Sequence, residues 1–120
     1  MASTISREFI HSKKFDAQWR ALGLDDDDLR ELENILLENP KIGPVMRGTG
    51  RLRKMRFSYG NRGKSHCARV CYADFEYDGK NALIMVFAKN KMENLSPAER
   101  NNIKQAIDRL EQTLRKEHEK

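Results

Sequence analysis

Ala82-Leu83-Ile84-Met85-Val86-Phe87-Ala88 is an unbroken apolar run of seven residues in a chain whose mean hydropathy is only −0.81. A run this short falls far below the ~20 residues a membrane helix needs. It suits a strand whose side chains are buried on both faces. A sheet containing such a strand needs a layer on each side, which in a chain of 120 residues means one domain with helices covering a small sheet. No other apolar stretch competes with it. The N-terminus, Met1-Ala2-Ser3-Thr4-Ile5-Ser6-Arg7-Glu8, lacks an apolar signal region, so the expected location is the cytoplasm, with no membrane partner.

The remaining elements follow from local pattern. Ser6 to Ile10 reads as a short strand. Phe15, Trp19 and Leu22 form one stripe of a short helix that Gly23 ends. The run Asp25-Asp26-Asp27-Asp28 opens a second helix carrying Leu29, Leu32, Ile35 and Leu36, where acids cap free N–H groups and complement the dipole. Asn39-Pro40 stops it. Arg51 to Tyr59 alternates as a strand, with Met55 and Phe57 on one face and Leu52, Lys54 and Arg56 on the other. Gly60-Asn61-Arg62-Gly63-Lys64 is a hairpin loop. Cys67 to Tyr77 is the next strand, and Asp78-Gly79 is the turn into the apolar one. Ser96-Pro97-Ala98-Glu99 is a capping box opening a last helix with Ile103, Ile107, Leu110 and Leu114 on one face. The expected architecture is α+β: an N-terminal strand and two helices, a three-stranded antiparallel meander, and a C-terminal helix. The domain is expected over residues 1–116, with a frayed polar tail over 117–120.

Charge is segregated along this pattern. Between Asn39 and Ala73 stand nine Lys or Arg and no Asp or Glu. The chain as a whole is only +5, so the remainder is net acidic. A basic surface without acids repels itself unless a polyanion neutralises it, and nucleic acid is the usual one. The cations lie on strands and loops, which argues against a major-groove recognition helix.

Lys54 and Arg56 project from one strand face about 6.6 Å apart. Arg69 can reach that face from the hairpin partner, and Lys89 and Lys91 follow the buried strand. Five cations could then rim one concavity. Such a cluster can hold phosphate or cut RNA by attack of the ribose 2′-hydroxyl. That reaction needs a base, cations on the phosphorane and an acid for the 5′-oxygen, but no cofactor and no metal. Arginines supply the electrostatic part, and a lysine crowded by cations can serve as the base. The plainer reading is a solvated basic strand face.

Other candidates carry less. Cys67 and Cys71 lie about 13 Å apart if on one strand, too far for a bridge, and with only His66 adjacent they lack a metal-ligand set. They are expected to be reduced packing thiols. His66 beside the hairpin could be exposed or act in acid–base chemistry. Tyr59 and Tyr72 could stack a base, core packing being the alternative for Tyr72. Trp19 belongs to the core, and His11 and His118 to the surface.

Several segments together resemble RelE/HigB-type toxins of bacterial toxin–antitoxin systems. They are Trp19-Arg20-Ala21-Leu22-Gly23-Leu24, Leu52-Arg53-Lys54-Met55-Arg56-Phe57, Arg62-Gly63-Lys64-Ser65, Ala68-Arg69-Val70-Cys71-Tyr72, Phe87-Ala88-Lys89-Asn90 and Leu95-Ser96-Pro97-Ala98-Glu99. The resemblance implies a RelE-like fold and a ribosome-dependent messenger-RNA endonuclease that inhibits translation. It implies a cognate antitoxin, often with a helix-turn-helix domain, through which alone operator DNA is reached. Lys54, Arg56, Arg69, Lys89 and Lys91 match the family's catalytic positions. Arg53, Arg62, Lys64 and His66 would contact ribosomal or messenger RNA. Two departures stand out: His66 and Cys67 replace two glycines, and no aromatic follows the active strand near Lys91. The competing expectations are a ParE-like toxin acting on a protein such as gyrase, a non-catalytic RNA-binding module, and a degenerate toxin kept for transcriptional regulation.

Overall fold

A computed structural model of the chain describes residues 7–60, 66–88 and 95–118. The elements are β1 (Glu8–His11), α1 (Lys13–Ala21), α2 (Asp26–Glu38), β2 (Arg53–Tyr59), β3 (His66–Phe75), β4 (Lys80–Ala88) and α3 (Pro97–His118). They form one four-stranded sheet in the order β1-β4-β3-β2. The meander β2-β3-β4 is antiparallel, whereas β1 pairs with β4 in parallel. The apolar run is thus a central strand, as its composition requires.

Two cores flank the sheet. On one face Met55, Phe57, Ala68, Val70, Tyr72, Leu83 and Val86 pack against Phe15 and Trp19 of α1 and Leu32 and Leu36 of α2. On the other face Cys71, Ala73, Phe75, Ala82, Met85 and Phe87 pack against Ile107 and Leu114 of α3, with Ile103 and Leu110 at the margin. All four residues expected on the face of α3 therefore point inwards.

The helix starts follow local chemistry. Asp25 and Asp28 exchange side-chain and backbone hydrogen bonds as a capping box. Ser96 and Glu99 do the same for α3. Gly23 turns out of α1 with φ 79°, in the left-handed region where a side chain is strained.

Three differences from the sequence reading have physical causes. First, β3 ends at Phe75 rather than Tyr77, because Glu76 to Gly79 form the turn, leaving Tyr77 exposed with Arg115 stacked 4.4 Å from its ring centre. Second, α3 remains helical to His118. Buried Leu114 and the pairing of Arg115 with Glu111 and Asp78 hold its last turns. Third, β4 carries a bulge. Cys71 pairs with Met85 and Tyr72 with Leu83, so Ile84 has no opposite number.

The bulge lies where β1 stops, and α1 takes over that edge. Ser12 Oγ donates to the Ile84 carbonyl at 2.5 Å, and the Val86 N–H donates to Gln18 Oε1 at 2.9 Å. The same Ser12 oxygen caps α1 by accepting from Phe15 N–H. A strand edge otherwise open to pairing is closed by helix side chains. Replacing Ser12 with Ala removes both roles at once. Urea titration should show a loss of about 1–2 kcal/mol. A loss below about 0.3 kcal/mol would show that water replaces both bonds.

Candidate nucleic-acid interface

The register of the β2–β3 hairpin sets the site. Arg56 pairs directly with Arg69, and Lys54 with Cys71. Directly opposed residues share a sheet face with Cβ atoms about 5 Å apart. Lys54, Arg56, Arg69 and the thiols of Cys67 and Cys71 therefore occupy the α3 side of the sheet. Helix α3 covers β4 and the Cys71–Phe75 end of β3 on that face, and leaves open the end of the β2–β3 hairpin that carries Arg56 and Arg69. Arg56 is exposed, and Lys54 and Arg69 are partly so.

Like charges directly opposed across a sheet are unfavourable. Among the described residues no carboxylate lies within ion-pair distance of Lys54, Arg56 or Arg69. The Arg69 guanidinium instead donates to Cys67 Sγ at 3.2 Å. Other cations of the acid-free stretch do find acids from outside it. Lys41 pairs with Glu76 at 3.0 Å and lowers its pKa. Arg51 pairs with Glu111 at 3.0 Å and lies over the Phe75 ring. Segregation in sequence thus becomes neutralisation in space for these two, and not for the three on the open face.

Those three line one concavity of about 490 Å3 together with Ile42, Gly43, Pro44 and Met55. The loop wall of this concavity is strapped to the sheet. Lys54 N–H donates to the Pro44 carbonyl, Met46 N–H to Leu52, and Val45 bridges Arg53. Gly43 N–H donates to the buried Tyr72 hydroxyl at 3.1 Å. A Cβ on Gly43 would meet the Lys54 carbonyl oxygen at 2.6 Å, so only glycine lets the loop approach this closely.

The structure redistributes the remaining expected site residues. Arg62, Lys64, Lys89 and Lys91 lie outside the described residues. Arg53, expected on nucleic acid, points to the opposite face from Lys54. Its guanidinium donates to the Gly43 carbonyl at 2.7 Å and to that of Lys41 at 3.3 Å, and so holds the loop. His66, expected beside the cations, also lies on the opposite face. It stacks on Tyr59 at 5.5 Å, ending a ladder of rings that runs Phe15, Trp19, Phe57, Tyr59. The hollow it borders is lined by Asp25, Asp27, Asp28 and Glu31, which repel phosphate. His66 is thereby separated from the basic surface. Tyr72 is core, and Tyr59 belongs to the ladder. The residues missed at the sequence level are Ile42 and Pro44, which no charge or motif marks.

No protein-family model matches the chain. Among solved structures, it is similar to a double arginine-to-alanine variant of the Escherichia coli toxin RelE in the free state. The two are 18% identical, the match covers 71% of this chain and 85% of the other, and the TM-score is 0.49.

The two thiols differ in environment. Burial pushes the Cys71 thiol up to about 12, and the nearby Lys54 ammonium only partly opposes this. Cys67 is partly exposed. The native protein at pH 8 should therefore take up one equivalent of iodoacetamide, located at Cys67 by mass spectrometry, with Cys71 labelled only after denaturation. Equal labelling of both in the native state would contradict this packing.

Proposed function

We propose that the open half of the sheet is a phosphate-binding and RNA-cleaving surface, and that the chain is the toxin of a toxin–antitoxin pair. On this reading it is an endoribonuclease that cuts messenger RNA on the ribosome. The observation that carries the reading is the Arg56–Arg69 pair. The two arginines are directly opposed across the hairpin beside Lys54 and line one open concavity, with no acid within ion-pair distance of them among the described residues. A phosphate seated between the two arginines would relieve their repulsion and accept charge-assisted hydrogen bonds from both. The sequence resemblance to RelE/HigB-type toxins supports the same assignment.

The proposed chemistry divides two tasks among the three cations. The ribose 2′-oxygen attacks the adjacent phosphorus, forming the O2′–P bond as the P–O5′ bond breaks. The 2′-hydroxyl proton passes to a base, with Lys54 the candidate, and the departing 5′-oxygen takes a proton in turn. Negative charge grows on the equatorial oxygens of the phosphorane, where Arg56 and Arg69 would stabilise it. Lys89 and Lys91 are proposed to assist at the leaving group or to anchor the flanking phosphate, and Arg62 and Lys64 to meet ribosomal RNA. The nucleophile is part of the substrate, so the protein's task is positioning and charge. The proposed partner is an antitoxin, of the helix-turn-helix kind, through which alone the pair would reach operator DNA.

Two measurements on the same variants test the proposal. In a translating extract, Arg69→Ala should lower the yield of new messenger ends by about 100-fold or more. Thermal melting of Arg56→Ala and Arg69→Ala should show stability unchanged or slightly raised, because each removes a like-charge opposition. Undiminished cleavage by folded Arg69→Ala would overturn its catalytic role. Growth arrest without any messenger cleavage by the wild type would point instead to a protein target.

A further inference from the structure

Ile42 and Val45 are each 46% exposed, and with Tyr77 they are the exposed large hydrophobic residues of the described chain. Two of the three thus stand in one short loop, and that loop adjoins the cations. This loop is fastened along its length by the Arg53 guanidinium, the Tyr72 hydroxyl and two backbone bonds, one to Leu52 and one to Lys54 of β2. Ile42 and Pro44 form one wall of the concavity whose other wall is Lys54, Arg56 and Arg69. Val45 does not line it.

The shelf offers little to read by hydrogen bonding. Pro44 has no N–H, and its carbonyl is taken by Lys54 N–H. Gly43 N–H and carbonyl are taken by Tyr72 and Arg53. Ile42 N–H is turned back on the Asn39 carbonyl. A fastened apolar surface with the N–H groups of Ile42 and Gly43 and the carbonyls of Gly43 and Pro44 already bonded, set against a phosphate site, suits the flat face of a base.

We infer that the Ile42–Pro44 shelf receives the nucleobase next to the phosphate held by Lys54, Arg56 and Arg69, in single-stranded RNA. The inference rests on the phosphate-binding reading above and adds the base-holding part of the same site. Bases pack on apolar as well as aromatic side chains when taken out of a stack, and a platform of this kind tolerates any base because every base has such a face. The concavity lies within the size range that holds a small ligand. Arg53 is then a positioning residue for the shelf, acting through the loop carbonyls and not on RNA.

The test is fluorescence anisotropy of the intact protein at low salt with two labelled RNA pentamers. One is a full oligonucleotide, and the other has the same sugar–phosphate chain with its central base removed. Wild type should bind the full oligonucleotide about fivefold or more tightly than the abasic one. Ile42→Ala should erase that difference while binding the abasic chain as wild type does. Val45→Ala, outside the concavity, should keep it. Arg53→Ala, with the shelf unfastened, should reduce the difference, while Arg69→Ala should weaken both oligonucleotides alike. If Ile42→Ala keeps the full difference, the shelf is not the base site, and the exposed loop is better assigned to a protein partner. If Arg69→Ala leaves both affinities unchanged, the phosphate reading fails first. No binding of either oligonucleotide by wild type overturns both.

Discussion

Strand β4 carries apolar side chains on both faces, and neither face can be left in water. Burying Leu83, Met85, Val86 and Phe87 contributes about 6–12 kcal/mol, comparable to the whole net stability of a domain this size. The helices are arranged to satisfy that demand. Helices α1 and α2 cover one face, α3 covers the other, and β1 and β3 close the strand's backbone on either side. A single helix cannot cover a four-stranded sheet, because strands lie almost 5 Å apart and a helix with its side chains is about 10–12 Å across. Helix α3 lies over β4 and the Cys71–Phe75 end of β3, and the end of the β2–β3 hairpin that carries Arg56 and Arg69 stays open on the same face. The proposed site occupies the area that the core does not need.

That division explains how opposed cations are tolerated. On the buried half, an arginine pair without acids would be prohibitive. On the open half, water screens it at a modest penalty, and the penalty becomes binding energy when a phosphate arrives. The same logic separates Arg51 from Arg56. Arg51 reaches α3 and pairs with Glu111, whereas Arg56 is exposed and pairs with no carboxylate among the described residues.

Much of this was legible locally. The capping boxes at Asp25 and Ser96, the inward face of α3 and the alternation that joins Lys54 to Arg56 all lie within a few residues of sequence. Strand parity carries further information. Arg53 is one residue from Lys54, and His66 three from Arg69, so each must face away from the cluster on a regular strand. What could not be read depends on partners far apart in the chain. Ser12 meets Ile84 across 72 residues, and Tyr72 meets Gly43 across 29. No local rule predicts the parallel pairing of β1, the bulge at Ile84, or a loop fastened along the edge of β2. The last of these turns a connecting loop into the wall of the site.

The most direct test of the account is the crystal structure of the protein with a short RNA whose attacking 2′-hydroxyl is replaced by hydrogen, so that it binds without being cut. The account predicts one backbone phosphate within hydrogen-bonding distance of both the Arg56 and Arg69 guanidinium groups, with the adjacent ribose facing Lys54. RNA seated on the opposite face beside Tyr59 and His66, or on α3 with Arg56 and Arg69 left in solvent, would contradict it.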